Sequence, residues 1–253
     1  MSRLEGKIAI ITGASAGIGE ATACLFAKEG ATVVLAARRE KKLNEIKTTI
    51  EAKGGKALVV KTDVTKLEDC KNLVAKVVEA FGRIDILVNN AGIADMHKSA
   101  VATSDTFWDQ VVLMNQTSLF WMCREVLPHM EKAGYGSIVN VSSIGGVFGS
   151  AGIAYSATKS AVLGMTKNIA IQYAGRGIRC NATAPGPTPT ELNTPDKLAT
   201  FDQEMREITG RHMDVTLPES EVIDQANGIL FYASDEARAV TGQCMIIDHG
   251  WTL

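Results

Sequence analysis

Short apolar runs rich in β-branched residues alternate with helical patterns along most of the chain. The runs are apolar at nearly every position, which is typical of strands buried on both faces. Strands are predicted at residues 7–12, 32–37, 57–62, 84–89, 137–142, 178–182 and 243–247. Helices are predicted at residues 18–28, 39–53, 67–81, 104–132, 154–174 and 219–233. This alternation predicts an α/β fold, a doubly wound parallel seven-stranded sheet with helices on both faces.

One segment departs from this alternation. Residues 185–217 are first rich in Pro and Thr and then polar and helical. Long irregular segments after strands usually line ligand sites or act as lids, although a tolerated surface insertion is the alternative. We interpret residues 185–217 as a substrate lid within a single domain spanning residues 1–253, since no repeat, linker or composition break divides the chain.

Composition narrows the class of protein. The net charge of -2 gives no reason to expect a nucleic-acid partner. Five widely spaced cysteines without CxxC spacing are typical of free thiols in a reducing compartment, and the four histidines lack metal-ligand spacing. The N-terminus has no long apolar region, and no apolar run is long enough to span a membrane. We therefore expect a cytoplasmic protein with no metal and no membrane or nucleic-acid partner.

Glycines follow the first predicted strand directly and open the first helix. Gly13, Gly17 and Gly19 have the spacing GxxxGxG. Glycine allows a tight turn and a close approach of the backbone to a pyrophosphate, and the helix N-terminus favours that anion. Such turns also occur for close packing alone, but the placement between an apolar strand and a helix indicates a dinucleotide site.

The end of the second strand indicates which dinucleotide binds. An acidic residue there would accept the ribose hydroxyls of NAD and repel a 2′-phosphate. This strand instead ends in Arg38 and Arg39, whose guanidinium groups suit phosphate. The alternative is that both arginines belong to the solvated face of the next helix. We predict NADP(H) as the cofactor.

Tyr155 and Lys159 are four residues apart, so they share one face of a predicted helix. A nearby ammonium lowers the pKa of a phenol, which suits the pair to proton exchange with a hydroxyl or carbonyl. Such a pair alone is commonly a surface coincidence. Here it follows a strand that ends at Ser142 and Ser143, where a hydroxyl can hydrogen-bond a developing alkoxide.

These motifs together resemble the short-chain dehydrogenase/reductase family. The matching positions, in family order and spacing over essentially the whole chain, are TGxxxGxG at 12–19, Asn89-Asn90-Ala91-Gly92, Asn115, Ser142, Tyr155, Lys159 and Pro185-Gly186. The resemblance implies a single-domain Rossmann fold and an oxidoreductase acting on CH-OH groups.

The resemblance also implies residue roles. Tyr155 would be the acid/base, and Lys159 would hold the nicotinamide ribose and lower the pKa of the tyrosine. Ser142 would orient the substrate oxygen, with Ser143 the weaker candidate because strand alternation turns it to the other face. Asn115 would position a water. Cofactor contacts are implied for Gly13, Ser15, Gly17, Ile18, Gly19, Arg38, Arg39, Asp63, Val64, Asn89, Ala91, Gly92, Tyr155, Lys159, Pro185, Gly186, Thr188 and Thr190.

The expected substrate is a hydrophobic secondary alcohol or ketone. The predicted lining is largely apolar, without an arginine or lysine for a carboxylate: Ile93, Met96, Ile144, Val147, Phe148 and residues 187–213. Bacterial hydroxysteroid dehydrogenases of the bile-acid type look most similar. The alternative is a 3-oxoacyl-acyl-carrier-protein reductase, whose carrier-docking arginines are matched by Arg176 but not by Gly134. A non-catalytic redox sensor is remote, because the acid/base set is intact. The resemblance further implies a homotetramer.

Overall fold

The structure is a computed structural model that describes residues 2–253, and its core is one parallel sheet. The seven strands are β1 (Ile8–Thr12), β2 (Thr32–Ala37), β3 (Lys56–Lys61), β4 (Ile86–Asn89), β5 (Gly136–Val141), β6 (Ile178–Pro185) and β7 (Cys244–Ile247). They are hydrogen-bonded in the order β3-β2-β1-β4-β5-β6-β7, all parallel. The predicted fold class and all seven strands are confirmed.

Helices cover both faces of the sheet. They are α1 (Gly17–Lys28), α2 (Glu40–Glu51), α3 (Leu67–Phe81), α4 (Asp105–Val112), α5 (Ser118–Ala133), α6 (Ile144–Phe148), α7 (Ile153–Gln172), α8 (Pro195–Leu198), α9 (Gln203–Gly210) and α10 (Val222–Ala233). Each of the two faces has its own apolar core, one beneath α1, α2 and α10 and the other beneath α3, α5 and α7. None of the helices in residues 2–253 is both long and apolar enough to cross a membrane.

The predicted helix at residues 104–132 is interrupted. A π-helical turn, Leu113–Thr117, separates α4 from α5. Single π turns inside α-helices commonly occur at functional sites, because the extra residue redirects one side chain. The π turn contains Asn115, which is 2% exposed and turned toward the end of β4.

The order of the strands determines where a cleft forms. β1 and β4 are neighbours, yet the chain leaves β1 toward β2 on one side and leaves β4 toward β5 on the other. Connections that diverge from adjacent parallel strands leave a crevice at the carboxyl edge of the sheet. The 185–217 segment, which contains α8 and α9, begins at the same edge, at the end of β6.

Candidate active site

A cavity of about 830 Å³ follows the carboxyl edge of the sheet. The segments that leave β1 to β6 all contribute to its wall, and the 185–217 segment forms much of the remainder. One end is therefore built from the glycine turn after β1 and the arginines after β2. The other end is built from the segments after β4, β5 and β6.

The glycine turn has the backbone geometry that a dinucleotide requires. Gly13 and Gly17 have φ of 68° and 58°, in the left-handed region that favours glycine. A Cβ on Gly13 would lie 2.9 Å from the Ala91 Cα. The residue before α1, Ala16, provides no side-chain cap, so the first N–H groups of this helix are available to an anion. These features fit a pyrophosphate.

Asn90 holds the glycine turn against β4, and our sequence analysis gave it no role beyond the motif. Its side-chain Nδ2 donates to the Thr12 carbonyl oxygen at 3.0 Å, and its backbone N–H donates to Thr12 Oγ1 at 3.0 Å. The adjacent Ala91 N–H donates to the same hydroxyl at 3.2 Å. The sequence signal for these hydrogen bonds is a threonine directly before Gly13 together with an asparagine directly after β4.

Arg38 and Arg39 differ in their contacts. Arg39 donates to Ser15 Oγ from Nε and NH2, at 3.2 and 2.9 Å, and pairs with the Glu191 carboxylate at 2.7 Å. Arg38 is exposed, borders the cleft and forms no ion pair with the other described residues. Burial raises the pKa of Asp63, but hydrogen bonds from Thr65 and then the charge of Arg38 lower it by more, so the pKa lies below its usual value. Arg38 is the guanidinium available to a phosphate.

Sixteen of the eighteen predicted cofactor residues border the cleft, and Gly19 and Asn89 do not. Gly19 packs against the Gly13 carbonyl, where a Cβ would collide, so its role is close packing of the turn. The buried Asn89 side chain donates to Asn140 Oδ1 at 3.0 Å and faces Cys123, between strand and helix. Side chains alternate between the two faces of the sheet along a strand, so Asn89 points under α5 and not into the cleft. A motif match alone does not show this direction.

Tyr155 and Lys159 lie on α7 as predicted, one turn apart and facing the cleft. The Lys159 Nζ donates to the Val141 carbonyl oxygen at 2.8 Å and lies 5.5 Å from the centre of the Tyr155 ring. Burial lowers the pKa of Lys159 to about 8. Burial also raises the pKa of Tyr155 to about 12, opposed in part by the neighbouring Ser143 hydroxyl. The lowering of the Tyr155 pKa by Lys159 stays a prediction.

The serine beside Tyr155 is Ser143, which corrects the preference for Ser142. The Ser142 hydroxyl is buried and donates to the Lys159 carbonyl oxygen at 2.7 Å. Ser143 Oγ and Tyr155 Cδ1 are each 3.5 Å from the place where a Cβ on Gly145 would stand. The two serines face opposite ways, as alternation requires. Ser142 turns under α7 and Ser143 turns toward Tyr155, so the structure favours Ser143 as the serine that contacts the reacting oxygen.

Asn115 lies behind the cleft wall. Its Oδ1 accepts from the Ile93 N–H at 2.8 Å, and its Nδ2 donates to the Ile93 carbonyl oxygen at 2.9 Å. A Cβ on Gly92 would lie 3.2 Å from Asn115 Oδ1 and 3.5 Å from Lys159 Nζ. The absent side chain of Gly92 therefore keeps a narrow space between these two polar groups. The water-positioning role of Asn115 stays a prediction.

Asp95 is a site residue that our sequence analysis missed. It is 1% exposed, and its carboxylate accepts from the Tyr155 N–H at 2.8 Å and from the His97 N–H at 3.1 Å. It thus caps the start of α7, where Gly152 leaves room for the carboxylate. Burial raises the pKa of Asp95. No local motif marks this residue, because the helix start that it caps lies 60 residues further along the chain.

The substrate end of the cleft differs from the predicted lining. Ile93 and Ile144 border it, whereas Met96, Val147 and Phe148 do not. Phe148 is 51% exposed, because α6 turns its end outward. The wall also includes Lys197 and Arg206, so the expectation of a lining without arginine or lysine was wrong. Both are in the 185–217 segment, where the conformation of α8 and α9 decides which side chains face inward.

Comparison with known proteins agrees with this geometry. The family model described as short chain dehydrogenase matches residues 7–200. The chain is 42% identical to a 7alpha-hydroxysteroid dehydrogenase of Clostridium sardiniense, covering 100% of this chain and 96% of the relative. It is 43% identical to a 3-oxoacyl-[acyl-carrier-protein] reductase of Thermotoga maritima, covering 98% of each.

The crystal structure of levodione reductase superposes with a TM-score of 0.91 at 31% identity, covering 99% of each chain. The fold thus agrees with the sequence relationships. The chain belongs to the short-chain dehydrogenase family, whose members bind a nicotinamide cofactor.

The two serines allow a matched test. We expect Ser143→Ala to lower kcat on a secondary alcohol by about a hundred-fold, because a hydrogen bond to the reacting oxygen is lost. We expect Ser142→Ala to lower the free energy of unfolding by about 1 kcal/mol, because one buried hydrogen bond is lost, and to keep most of the activity. Steady-state kinetics and urea unfolding measure both effects. The reverse pattern of activities would restore the assignment to Ser142.

Proposed function

We propose that this protein is an NADP(H)-dependent oxidoreductase that transfers a hydride between the nicotinamide and a secondary alcohol or ketone of a hydrophobic substrate. The observation that carries the proposal is the cluster of Tyr155, Lys159 and Ser143 in the wall of the cleft. The glycine turn and Arg38 border the same cleft at its other end. Membership of the family supports the reaction class.

The residues divide the chemistry between them. The nicotinamide, when bound, supplies or accepts the hydride. Tyr155 gives a proton to the substrate oxygen in reduction and takes one from it in oxidation, while the Ser143 hydroxyl donates a hydrogen bond to that oxygen. A phenol with a pKa of about 12 is protonated at neutral pH, as carbonyl reduction requires. The ammonium of Lys159 favours the phenolate in the opposite direction and holds the nicotinamide ribose.

The preference for NADP(H) rests on the end of β2. Arg38 forms no ion pair with the described residues, and no carboxylate ends the strand before it. Arg39 contacts both Ser15 and Glu191. Its guanidinium therefore holds the glycine turn in place and would also lie close to a bound phosphate. The 2′-phosphate would therefore bind mainly at Arg38, with Arg39 beside it.

We also infer that the 185–217 segment is a lid. Two contacts connect this segment to the opposite wall of the cleft. The Glu191 carboxylate pairs with Arg39 after β2, and the Phe201 ring stacks on His97 after β4. The first contact lies at the nucleotide end and the second at the substrate end. A segment held at both ends of a cleft encloses what binds between them.

A hydroxysteroid of the bile-acid type is the substrate class that we favour. Apolar side chains border the substrate end, and one relative with 42% identity is a 7alpha-hydroxysteroid dehydrogenase. The second candidate is a 3-oxoacyl-acyl-carrier-protein reductase, which the relative with 43% identity supports. Against it, Arg176 pairs with Glu131 at 2.7 Å, and Gly134 stands where a second docking arginine is expected.

Removing the phenolic hydroxyl tests the mechanism. We expect Tyr155→Phe to lower kcat by about a hundred- to ten-thousand-fold, because no proton can be exchanged with the substrate oxygen. NADPH affinity, measured by fluorescence titration, should stay nearly unchanged. Tyr173→Phe, at the end of the same helix, is the matched control and should keep full activity. A Tyr155→Phe enzyme with a third of the normal kcat would exclude the mechanism.

The cofactor preference is tested at Arg38. A charge-assisted hydrogen bond contributes roughly 1.5–3 kcal/mol, so we expect Arg38→Ala to weaken NADP+ binding by about ten- to a hundred-fold. The dissociation constant of NAD+ should change much less. Lys41→Ala, at an exposed position on α2, serves as the control for general surface charge. Equal losses for both cofactors would mean that Arg38 does not contact the 2′-phosphate.

We further propose a homotetramer, in line with the family resemblance. Exposed apolar side chains on three helices support association: Phe120 on α5, Phe148 on α6 and Ile171 on α7. Two different two-fold interfaces generate a closed tetramer. Light scattering coupled to size exclusion should give about four times the chain mass of 27.0 kDa. A stable monomer at micromolar concentration would contradict the proposal.

A further inference from the structure

One helix of the 185–217 segment turns a cation toward the cleft. One face of α9 and of the turn after it borders the cavity. It consists of Arg206 and of the residues three, four and seven positions after it, which are Thr209, Gly210 and Met213. The opposite face, with Gln203, Glu204, Glu207 and Arg211, is exposed. The Asp202 carboxylate caps the helix by accepting from the Met205 N–H at 3.0 Å, which defines where the helix begins.

The charge of Arg206 is not neutralised within the described part of the chain. Its NH1 lies 3.3 Å from Gln203 Oε1, and it forms no ion pair with any Asp or Glu among residues 2–253. Arg211, one turn later, pairs with the Glu207 carboxylate at 2.7 Å on the outer face. A partly buried guanidinium has lost some of its hydration, so an anionic partner there is favourable.

The neighbours of Arg206 locate it along the cleft. The Asp95 carboxylate joins the start of α7 to the His97 backbone, and the His97 ring stacks on Phe201 with 5.4 Å between centroids. Burial lowers the pKa of His97, and the nearby Arg206 charge lowers it further, against Asp95 and Asp202. The wall therefore runs from Tyr155 past His97 to Arg206, in that order.

His97 contributes a further polar side chain to this wall. His97 Nδ1 is buried and forms no hydrogen bond with residues 2–253, although His97 borders the cleft. Buried polar atoms in native structures almost always have a partner. The buried Nδ1 has no surface open to the cleft. The group in this wall that a bound molecule can reach is the Arg206 guanidinium, which lacks an anionic partner among residues 2–253 and so favours a molecule with an anionic group on an apolar body.

We propose that Arg206 binds a carboxylate at the end of the substrate that is remote from the reacting carbon. The substrate is then an elongated apolar alcohol or ketone with an acidic terminus, its oxygen at Tyr155 and its carboxylate at Arg206. This inference rests on the proposed function and narrows it. Guanidinium and carboxylate are both planar and form paired hydrogen bonds, which gives Arg206 direction as well as charge.

The test compares one steroid skeleton with and without its charge. NADP+ reduction is followed with cholic acid and with methyl cholate, on the wild-type protein and on Arg206→Gln. We expect Arg206→Gln to lower kcat/KM for the acid by about ten- to a hundred-fold, mainly through KM, and to leave the ester within about two-fold. Arg206→Lys, which keeps the charge, should recover part of the loss. Arg211→Gln, on the outer face of the same helix, should change neither substrate.

The outcomes separate the two proposals. Turnover of the ester tests the proposed reaction, whereas the ratio of acid to ester tests Arg206. Equal losses on acid and ester would overturn the role of Arg206 and leave the reaction intact. A second pair of substrates distinguishes a carboxylate from a phosphate as the anion that Arg206 binds. This pair is a 3-oxoacyl thioester of phosphopantetheine and its N-acetylcysteamine analogue, which lacks the phosphate. A response to Arg206→Gln in this pair, with none in the steroid pair, would overturn the carboxylate in favour of a phosphate.

Discussion

The parallel sheet imposes the constraint on which the rest of this protein depends. Parallel strands must all end at one edge, so the segments after β1 to β6 are brought together there although they are far apart in the chain. The divergence of the chain after β1 and β4 opens the cleft between them. Asn90 then holds these two strand ends together through Thr12. The nucleotide end and the reacting end are therefore parts of one continuous structure.

Burial gives the reacting end its chemical character. The Lys159 ammonium is surrounded by protein, and its Nζ donates to the Val141 carbonyl oxygen. The Tyr155 phenol is buried beside it, so the loss of solvent moves the pKa values of the two groups in opposite directions, each toward its neutral form. Asp95 holds the first turn of α7 in place from another loop. The hydrogen bond from Lys159 to Val141 and this cap together keep the acid/base pair in a defined position.

The 185–217 segment is connected to the rest of the cleft by polar and aromatic contacts rather than by a large apolar core. Glu191 reaches Arg39, and the Asp202 N–H donates to the Met96 carbonyl oxygen at 2.9 Å beside the ring stack of Phe201 on His97. Exposed ion pairs contribute little to stability, so a segment attached in this way opens at a modest cost in free energy. Its sequence can also vary without disturbing the sheet, which suits a part that selects the substrate.

The residue pattern along the chain predicted the parallel sheet, the alternation of strands and helices, the glycine turn and the Tyr155–Lys159 pair. These depend on apolar runs and on residues close together in the chain, where strand and helix periods are informative. It predicted Ser142 instead of Ser143, because spacing does not show which of two adjacent hydroxyls turns beneath α7. Asp95, the π turn at Asn115 and the inward face of α9 with Arg206 were decided only by the tertiary structure. Each depends on contacts between distant segments, so its environment exists only after the loops have packed at the carboxyl edge of the sheet.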